Sequence, residues 1–186
     1  MLTCSVTIIF AQRMITIISS TNRNNSRSED VSREYQQILK DKGSDVRFFS
    51  LGQLPVGFLH PEMYKSVSDD MQAIIDEFIA PAEVFVFIIP EYNGSYPGIL
   101  KTFLDTIPPK YFREKKAGII GVSDGHAGNL RGEEHLTGVL HYLRLMVHYA
   151  QPKLSDIDKM LDENGRVVDE RALRLLNDHA EKMIRF

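Results

Sequence analysis

Two stretches constrain the fold of this chain more than any others. Val84 to Ile89 reads Val-Phe-Val-Phe-Ile-Ile, and Ala117 to Val122 reads Ala-Gly-Ile-Ile-Gly-Val. Neither carries a polar side chain, and both are short for a buried helix. Side chains of a strand alternate between two faces, so an unbroken apolar run needs cover on both, as in a parallel sheet between helical layers. Ile15 to Ile18 and Val46 to Phe49 add two shorter strand-like runs. Amphipathic stretches lie between them near residues 28–42, 67–79, 97–106 and 132–147, with another at 169–185. Their stop signals are local: Gly43 closes the first, Pro81 follows the second and Pro108-Pro109 ends the third. A short strand from Val147 to Gln151, ahead of Pro152, supplies a fifth member. The alternation predicts an α/β fold with a five-stranded parallel sheet and helices on both faces.

The chain has 186 residues, 43% of them hydrophobic, which fits one domain with a sizeable core. With 22 Lys and Arg against 25 Asp and Glu, the formal charge of −3 offers no positive field to collect phosphates, so nucleic acid is not expected as a partner. Cys4 is the one cysteine, which excludes an internal disulfide and a cysteine-rich metal site. The longest apolar stretch is far short of the ~20 residues a membrane span needs. Met1 to Arg13 holds an apolar piece, Val6 to Ala11, without the basic start or cleavage site of a secretory signal. Residues 1–13 are therefore read as an extension, consistent with a start codon placed too early, ahead of a single domain over 14–186. A cytoplasmic location is expected.

Sheets of this kind bind ligands beyond the carboxyl ends of their strands, which narrows the search to three loops. The first, Ser19 to Ser28, combines five hydroxyls, three amides and two guanidiniums at a helix start, donors suited to a phosphate dianion. It is neither G-x-x-x-x-G-K-[ST] nor G-x-G-x-x-G. The plainer reading is a polar loop with Ser26 or Ser28 capping the helix, and Glu29 and Asp30 in the first turn count against an anion there. The second loop, Pro90 to Gly98, contains the turn signal Asn93-Gly94 and a helix start at Ser95 and Pro97, and its tyrosines, amide and backbone donors suit a flat heteroaromatic ring. The third, Ser123 to Arg131, carries Gly125 and Gly128 with Asp124 and His126 between them.

From Pro90 to Asp105 the sequence Pro-Glu-Tyr-Asn-Gly-Ser-x-Pro-Gly-x-Leu-Lys-x-x-x-Asp resembles the signature of the NADPH-dependent FMN reductase family, whose fold is flavodoxin-like. The first loop is similar to that family's phosphate loop, Ser-Gly-Ser-x-Arg-x-x-Ser, with Thr21, Arg23 and Ser26 on its second Ser, its Arg and its last Ser, and with Ser20 in place of its Gly. The resemblance runs from Met14 to about Gln151. It implies that Thr21, Arg23, Ser26 and Ser28 hold the FMN phosphate. It implies too that Pro90, Glu91, Tyr92, Asn93, Gly94 and Ser95 border the isoalloxazine, with Ser123 and Gly125 along its other edge. NADPH, or NADH, is the implied donor, with a quinone, azo compound or flavin as acceptor in ping-pong fashion. A homodimer or higher homo-oligomer is implied as well. Because the flavin supplies the chemistry, no protein acid, base or catalytic residue is assigned. Where the family's third loop is richer in glycine, Asp124 near the flavin would lower its potential by repulsion, unless it points to solvent or pairs with His126.

Two rivals carry different chemistry. Within the fold, the chain could be an FMN-binding electron carrier that does not itself oxidise a nicotinamide, although dedicated carriers tend to be more acidic. Outside it, Gly121-Val122-Ser123-Asp124-Gly125 spells the G-x-S-x-G of a serine hydrolase, with Asp156 or Asp169 and then His179 in the right order. That elbow should enter a helix at once, and Gly128, Asn129 and Gly132 delay one. No metal site is expected, since Glu133-Glu134-His135 lacks a second histidine four residues on.

Overall fold

The computed structural model describes residues 13–186. Apart from Arg13, the N-terminal extension read from the sequence lies outside these residues. Strands β1 (Met14–Ser19), β2 (Asp45–Ser50), β3 (Val84–Pro90) and β4 (Lys116–Val122) lie side by side in the order β2-β1-β3-β4, all parallel. Helix α1 (Arg27–Asp41) connects β1 to β2, α2 (Asp69–Ile74) and the π-helical turn Ile75–Ile79 lead into β3, and α3 (Gly98–Thr106) leads towards β4. After β4 come α4 (Leu130–Tyr142), β5 (Met146–Val147), β6 (Lys153–Leu154) and α5 (Glu170–Arg185). This is the flavodoxin-like doubly wound order, whose switch point lies between β1 and β3.

The runs that predicted buried strands behave as such. Along β3, Phe85, Phe87 and Ile89 join the core beneath α2, α3 and α4, while Val84, Val86 and Ile88 join the core beneath α1 and α5. All six are buried, so any polar substitution in this strand would strand a polar group in an apolar layer. Gly118 in β4 is needed for cover of the second face, because a Cβ there would lie 2.5 Å from Met183 Sδ of α5. The expected stop at Gly43 is also present: at φ +79° it turns the chain out of α1, and its N–H donates to Lys40 O at 2.8 Å.

One expectation needs correction. The fifth strand is not a continuous run from Val147 to Gln151 but two two-residue pieces, which makes the sheet six-stranded. β5 pairs with Lys116 and Ala117, and β6 pairs with Gly121 and Val122 further along the same edge. Between them, His148 Nδ1 accepts from Ala150 N, and Pro152 has no N–H for a ladder though its carbonyl accepts from Gly121 N at 2.9 Å. The helix predicted over 132–147 likewise spans Leu130–Tyr142, ending before Arg144 enters the left-handed region at φ +65°. Its Leu136 and Leu140 are buried and its Val139 packs on the same core, which leaves Tyr142 exposed.

Candidate cofactor site

The carboxyl ends of β1, β3 and β4 enclose a cavity of about 300 Å³. Its walls are Arg23 to Ser28 from the first loop, Pro90, Glu91 and Tyr92 from the second, and Val122, Ser123 and Asp124 from the third. All three loops singled out in the sequence thus meet at one place. The segment from Arg23 to Ser26 is also the ridge towards a neighbouring polar cavity of about 420 Å³, which reaches Ser50 and Gln53.

The first loop is held through its backbone N–H groups. Ser20 N donates to Ile88 O at 3.1 Å, and Arg23 N donates to Thr21 Oγ1 at 3.3 Å. Asn25 sits at φ +54°, a conformation that asparagine adopts more readily than most residues. Ser26 occupies the N-cap position of α1, yet its side chain makes no capping bond; its Oγ lies 2.8 Å from Ser28 Oγ instead. By contrast, Asp169 caps α5 and Ser68 caps α2. The start of α1 therefore keeps the positive end of a helix dipole free of a side-chain cap, with the Ser26 and Ser28 hydroxyls beside it, next to the cavity. The two acids that weighed against an anion are engaged elsewhere. Glu29 accepts from Ser50 Oγ at 2.9 Å and from Arg33 at 2.7 Å, and Asp30 lies 3.7 Å from Arg27. Arg27 is itself paired to Asp158 at 2.8 Å, whereas Arg23 forms no ion pair among the described residues and stacks over the Tyr92 ring at 4.1 Å.

The second loop is a tight hairpin. Tyr92 and Ser95 exchange backbone bonds of 2.8 and 3.1 Å around Asn93 at φ +52° and Gly94 at φ +75°, a type I′ turn. The Asn93 and Gly94 N–H groups are left outside the hairpin's own bonds. Gly94 faces Arg131, and Ser95 turns its hydroxyl to His135 Nδ1 at 2.9 Å, away from the cavity wall that Tyr92 forms. The base of the hairpin is fixed by a residue whose role the sequence did not reveal. Asn129, fully buried and at φ +66°, donates from Nδ2 to Ile89 O at 3.1 Å and to Pro90 O at 3.0 Å. Gly132 makes room for it, since a Cβ there would come within 2.1 Å of Asn129 Oδ1. The one local signal was an asparagine between two glycine-marked turns.

In the third loop Ser123 donates its hydroxyl to Gly125 O at 2.7 Å, and Gly125 itself is exposed with open space around its Cα. Asp124 is exposed at the cavity rim and does not meet His126, which lies 3.2 Å from Asp156. The Lys159 ammonium, and then His126, hold the Asp156 carboxyl below its ordinary range. The hydrolase arrangement is not assembled: Ser123 has no histidine partner among its hydrogen bonds, α4 starts only at Leu130, and His179 is bonded to Tyr35. Among the described residues no cluster of three or more His, Cys, Asp or Glu is placed to hold a metal ion, and no helix is long and apolar enough to cross a membrane.

The sequence model of NADPH-dependent FMN reductase matches residues 13–155. The chain belongs to the NADPH-dependent FMN reductase family. It is thereby an oxidoreductase with FMN as its cofactor and NAD(P)H as its electron donor. Among curated relatives, 2-hydroxy-1,4-benzoquinone reductase of a Burkholderia species is 29% identical over 140 residues, covering 73% of this chain and 75% of that protein. The FMN-dependent NADPH-azoreductase of Staphylococcus aureus is 28% identical over 156 residues, 80% of each chain. Among solved structures, the flavoenzyme NAD(P)H:(acceptor) oxidoreductase FerB from Paracoccus denitrificans superposes with a TM-score of 0.77 at 19% identity, covering 93% of this chain and 96% of that one. The site's own chemistry fits the family cofactor: a phosphate needs donors and a positive charge, and a ring system needs an aromatic wall beside them. The α1 start with Arg23, and the Tyr92 hairpin, supply these within one cavity.

Proposed function

We propose that this protein oxidises NADPH or NADH by way of FMN and passes the electrons to a small organic acceptor, a quinone, an azo compound or free flavin, in ping-pong fashion. The observation that carries this reading is the single cavity that joins the uncapped, hydroxyl-lined start of α1 to the Tyr92 hairpin and to Ser123. Two relatives, a benzoquinone reductase and an azoreductase, support the acceptor class. Bound FMN supplies the redox step, accepting a hydride from reduced nicotinamide and returning electrons to the second substrate.

The protein's own residues bind and orient. Thr21, Arg23, Ser26 and Ser28 hold the phosphate on this reading, with Arg23 as the uncompensated charge. Pro90, Glu91, Tyr92 and the hairpin amides of Asn93, Gly94 and Ser95 border the ring, and Ser123 and Gly125 lie along its other edge. No side chain needs to move a proton. Residues 14–186 act as one FMN-binding domain in the cytoplasm, as a homodimer. The support for pairing is an apolar groove of about 470 Å³ between α3 and α4, lined by Leu104, Ile107, Val139, Tyr142 and Leu143.

The test is the absorbance spectrum of the purified protein during FMN titration, followed by NADPH and NADH oxidation with each acceptor. Bound FMN with turnover upholds the reading. Bound FMN without nicotinamide oxidation replaces it with an electron carrier of the same fold, and absence of FMN binding removes the cofactor assignment altogether.

A further inference from the structure

A carboxylate that the proposed chemistry does not use is buried behind the third loop. Glu133, in the first turns of α4, is fully inaccessible. Its Oε1 accepts from Gly121 N in β4 at 3.1 Å, and its Oε2 lies 2.7 Å from Lys153 Nζ in β6. The packing around it leaves no slack. A Cβ on Gly121 would lie 2.2 Å from Gly128 O and 2.8 Å from Glu133 Oε1, and a Cβ on Gly128 would lie 2.5 Å from Lys153 Cβ. Glu133 thus ties the end of β4 to the start of α4 and to β6, and Lys153 packs beside Gly128 at the far end of the third loop. Val122, Ser123 and Asp124, which follow Gly121 directly, form the cavity wall.

We propose that Glu133 is a positioning residue of the cofactor site: with Lys153 it clamps the segment from Gly121 to Gly128, and its charge state governs how firmly that segment is held against bound FMN. The proposal rests on the reading of this cavity as the FMN site. Burial pushes the Glu133 carboxyl up from 4.5 to about 7, while Lys153 and the Gly121 N–H pull it down. Lys153 is the charged group that meets it, from β6; β4 contributes a backbone N–H, and on α4 itself Arg131 and Glu134 are exposed.

The sign follows from linkage. An open loop lets Glu133 ionise at its ordinary value, whereas the closed loop keeps it neutral until about 7. Raising the pH between these limits therefore favours opening, and above them the ionised Glu133 cancels the Lys153 charge that would otherwise favour an anionic ligand. Both effects weaken FMN binding as pH rises. Lys153 bears the opposite charge, which the neutral acid leaves uncompensated at low pH.

The experiment compares wild type with Glu133→Gln, which keeps the shape and the carbonyl for Gly121 N but never ionises. Hydrogen exchange of the apo protein over residues 119–129, corrected for intrinsic rates, is followed between pH 5 and 8 together with FMN titration. In wild type, protection should fall towards pH 7, and the ratio of its FMN Kd to that of E133Q should rise about three- to tenfold from pH 6 to 8; taking the ratio cancels titration of the FMN phosphate. Lys153→Met should move the step to higher pH. Parallel profiles for wild type and E133Q in both measurements would overturn the proposal. If wild type binds no FMN, the cofactor assignment fails, and flat or sloping exchange in the apo protein still decides the clamp.

Discussion

The Thr21 hydroxyl lies 2.6 Å from the Tyr92 hydroxyl, 71 residues apart in the chain, and so ties the loop after β1 to the hairpin after β3 across the switch point. The same ring carries Arg23 on its face. Tyr92 is thus wall and strut together. Tyr92→Phe keeps the ring and the cation contact but cuts the tie. It should lower FMN affinity about three- to tenfold, the scale of one neutral hydrogen bond, with little change in melting temperature. Fluorescence quenching during FMN titration measures this, and an unchanged Kd would mean the two loops hold their spacing without the bridge.

Arg23 is exposed and free of carboxylates among the described residues, so its charge is available to a ligand. Arg23→Ala should weaken FMN by about ten- to a hundredfold, in the range of a hydrogen bond to a charged group, while riboflavin, which lacks the phosphate, should lose little. Equal losses for both ligands would place Arg23 at the ring and not at the phosphate.

Sheet, helices and the three loops were legible because each rests on local chemistry. Continuous apolar runs marked β3 and β4, Gly43 closed α1, and Asn93-Gly94 could hardly be other than a turn. What stayed hidden depends on partners distant in sequence. Glu133 stands in the polar string Arg131-Gly132-Glu133-Glu134-His135 and reads as part of a solvated helix face; only the approach of Lys153, twenty residues on, makes it an interior residue. Asn129 shows itself as a clamp only once Pro90 lies beside it. The edge strand was misread as continuous because the strand pattern around Val147 does not reveal that Pro152 and the His148 turn interrupt the ladder.

Gly121 at the end of β4 and Gly125 in the third loop separate packing from ligand contact. Gly121→Ala drives a methyl into Gly128 O and Glu133, contacts that lie in backbone and a clamped side chain. It should cost about 1–3 kcal/mol, the usual penalty of overpacking. Gly125→Ala meets nothing within 4 Å and lies outside the positive-φ glycines. Its stability should stay within about 0.5 kcal/mol of wild type, yet its FMN affinity should drop if the ring edge rests there. Urea unfolding alongside FMN titration reads the two quantities separately; a Gly125→Ala protein that binds FMN as wild type does would remove Gly125 from the site.

Behind the sheet, Tyr35 of α1 and His179 of α5 are both buried, with the hydroxyl 2.7 Å from Nδ1, and His179 Nε2 has no hydrogen-bond partner among the described residues. Burial pushes His179 down to about 3, with the charges of His148 and Lys182 adding to it. A histidine kept neutral in the native state takes up a proton near 6.5 only when unfolded, so its contribution to stability is complete above that value and is lost as pH falls towards 3. Between pH 7 and 5 the loss amounts to about 2 kcal/mol. Glu133 acts in the opposite sense over part of the same range, so the total slope of the wild type does not isolate either group. His179→Gln does. It should be less stable than wild type at pH 7 by about 1–3 kcal/mol, because the Tyr35 hydroxyl loses its acceptor geometry, and the gap should shrink by about 2 kcal/mol at pH 5. Urea unfolding of both proteins at the two pH values gives the comparison, and a gap of constant size would mean that the buried histidine is already protonated at pH 5.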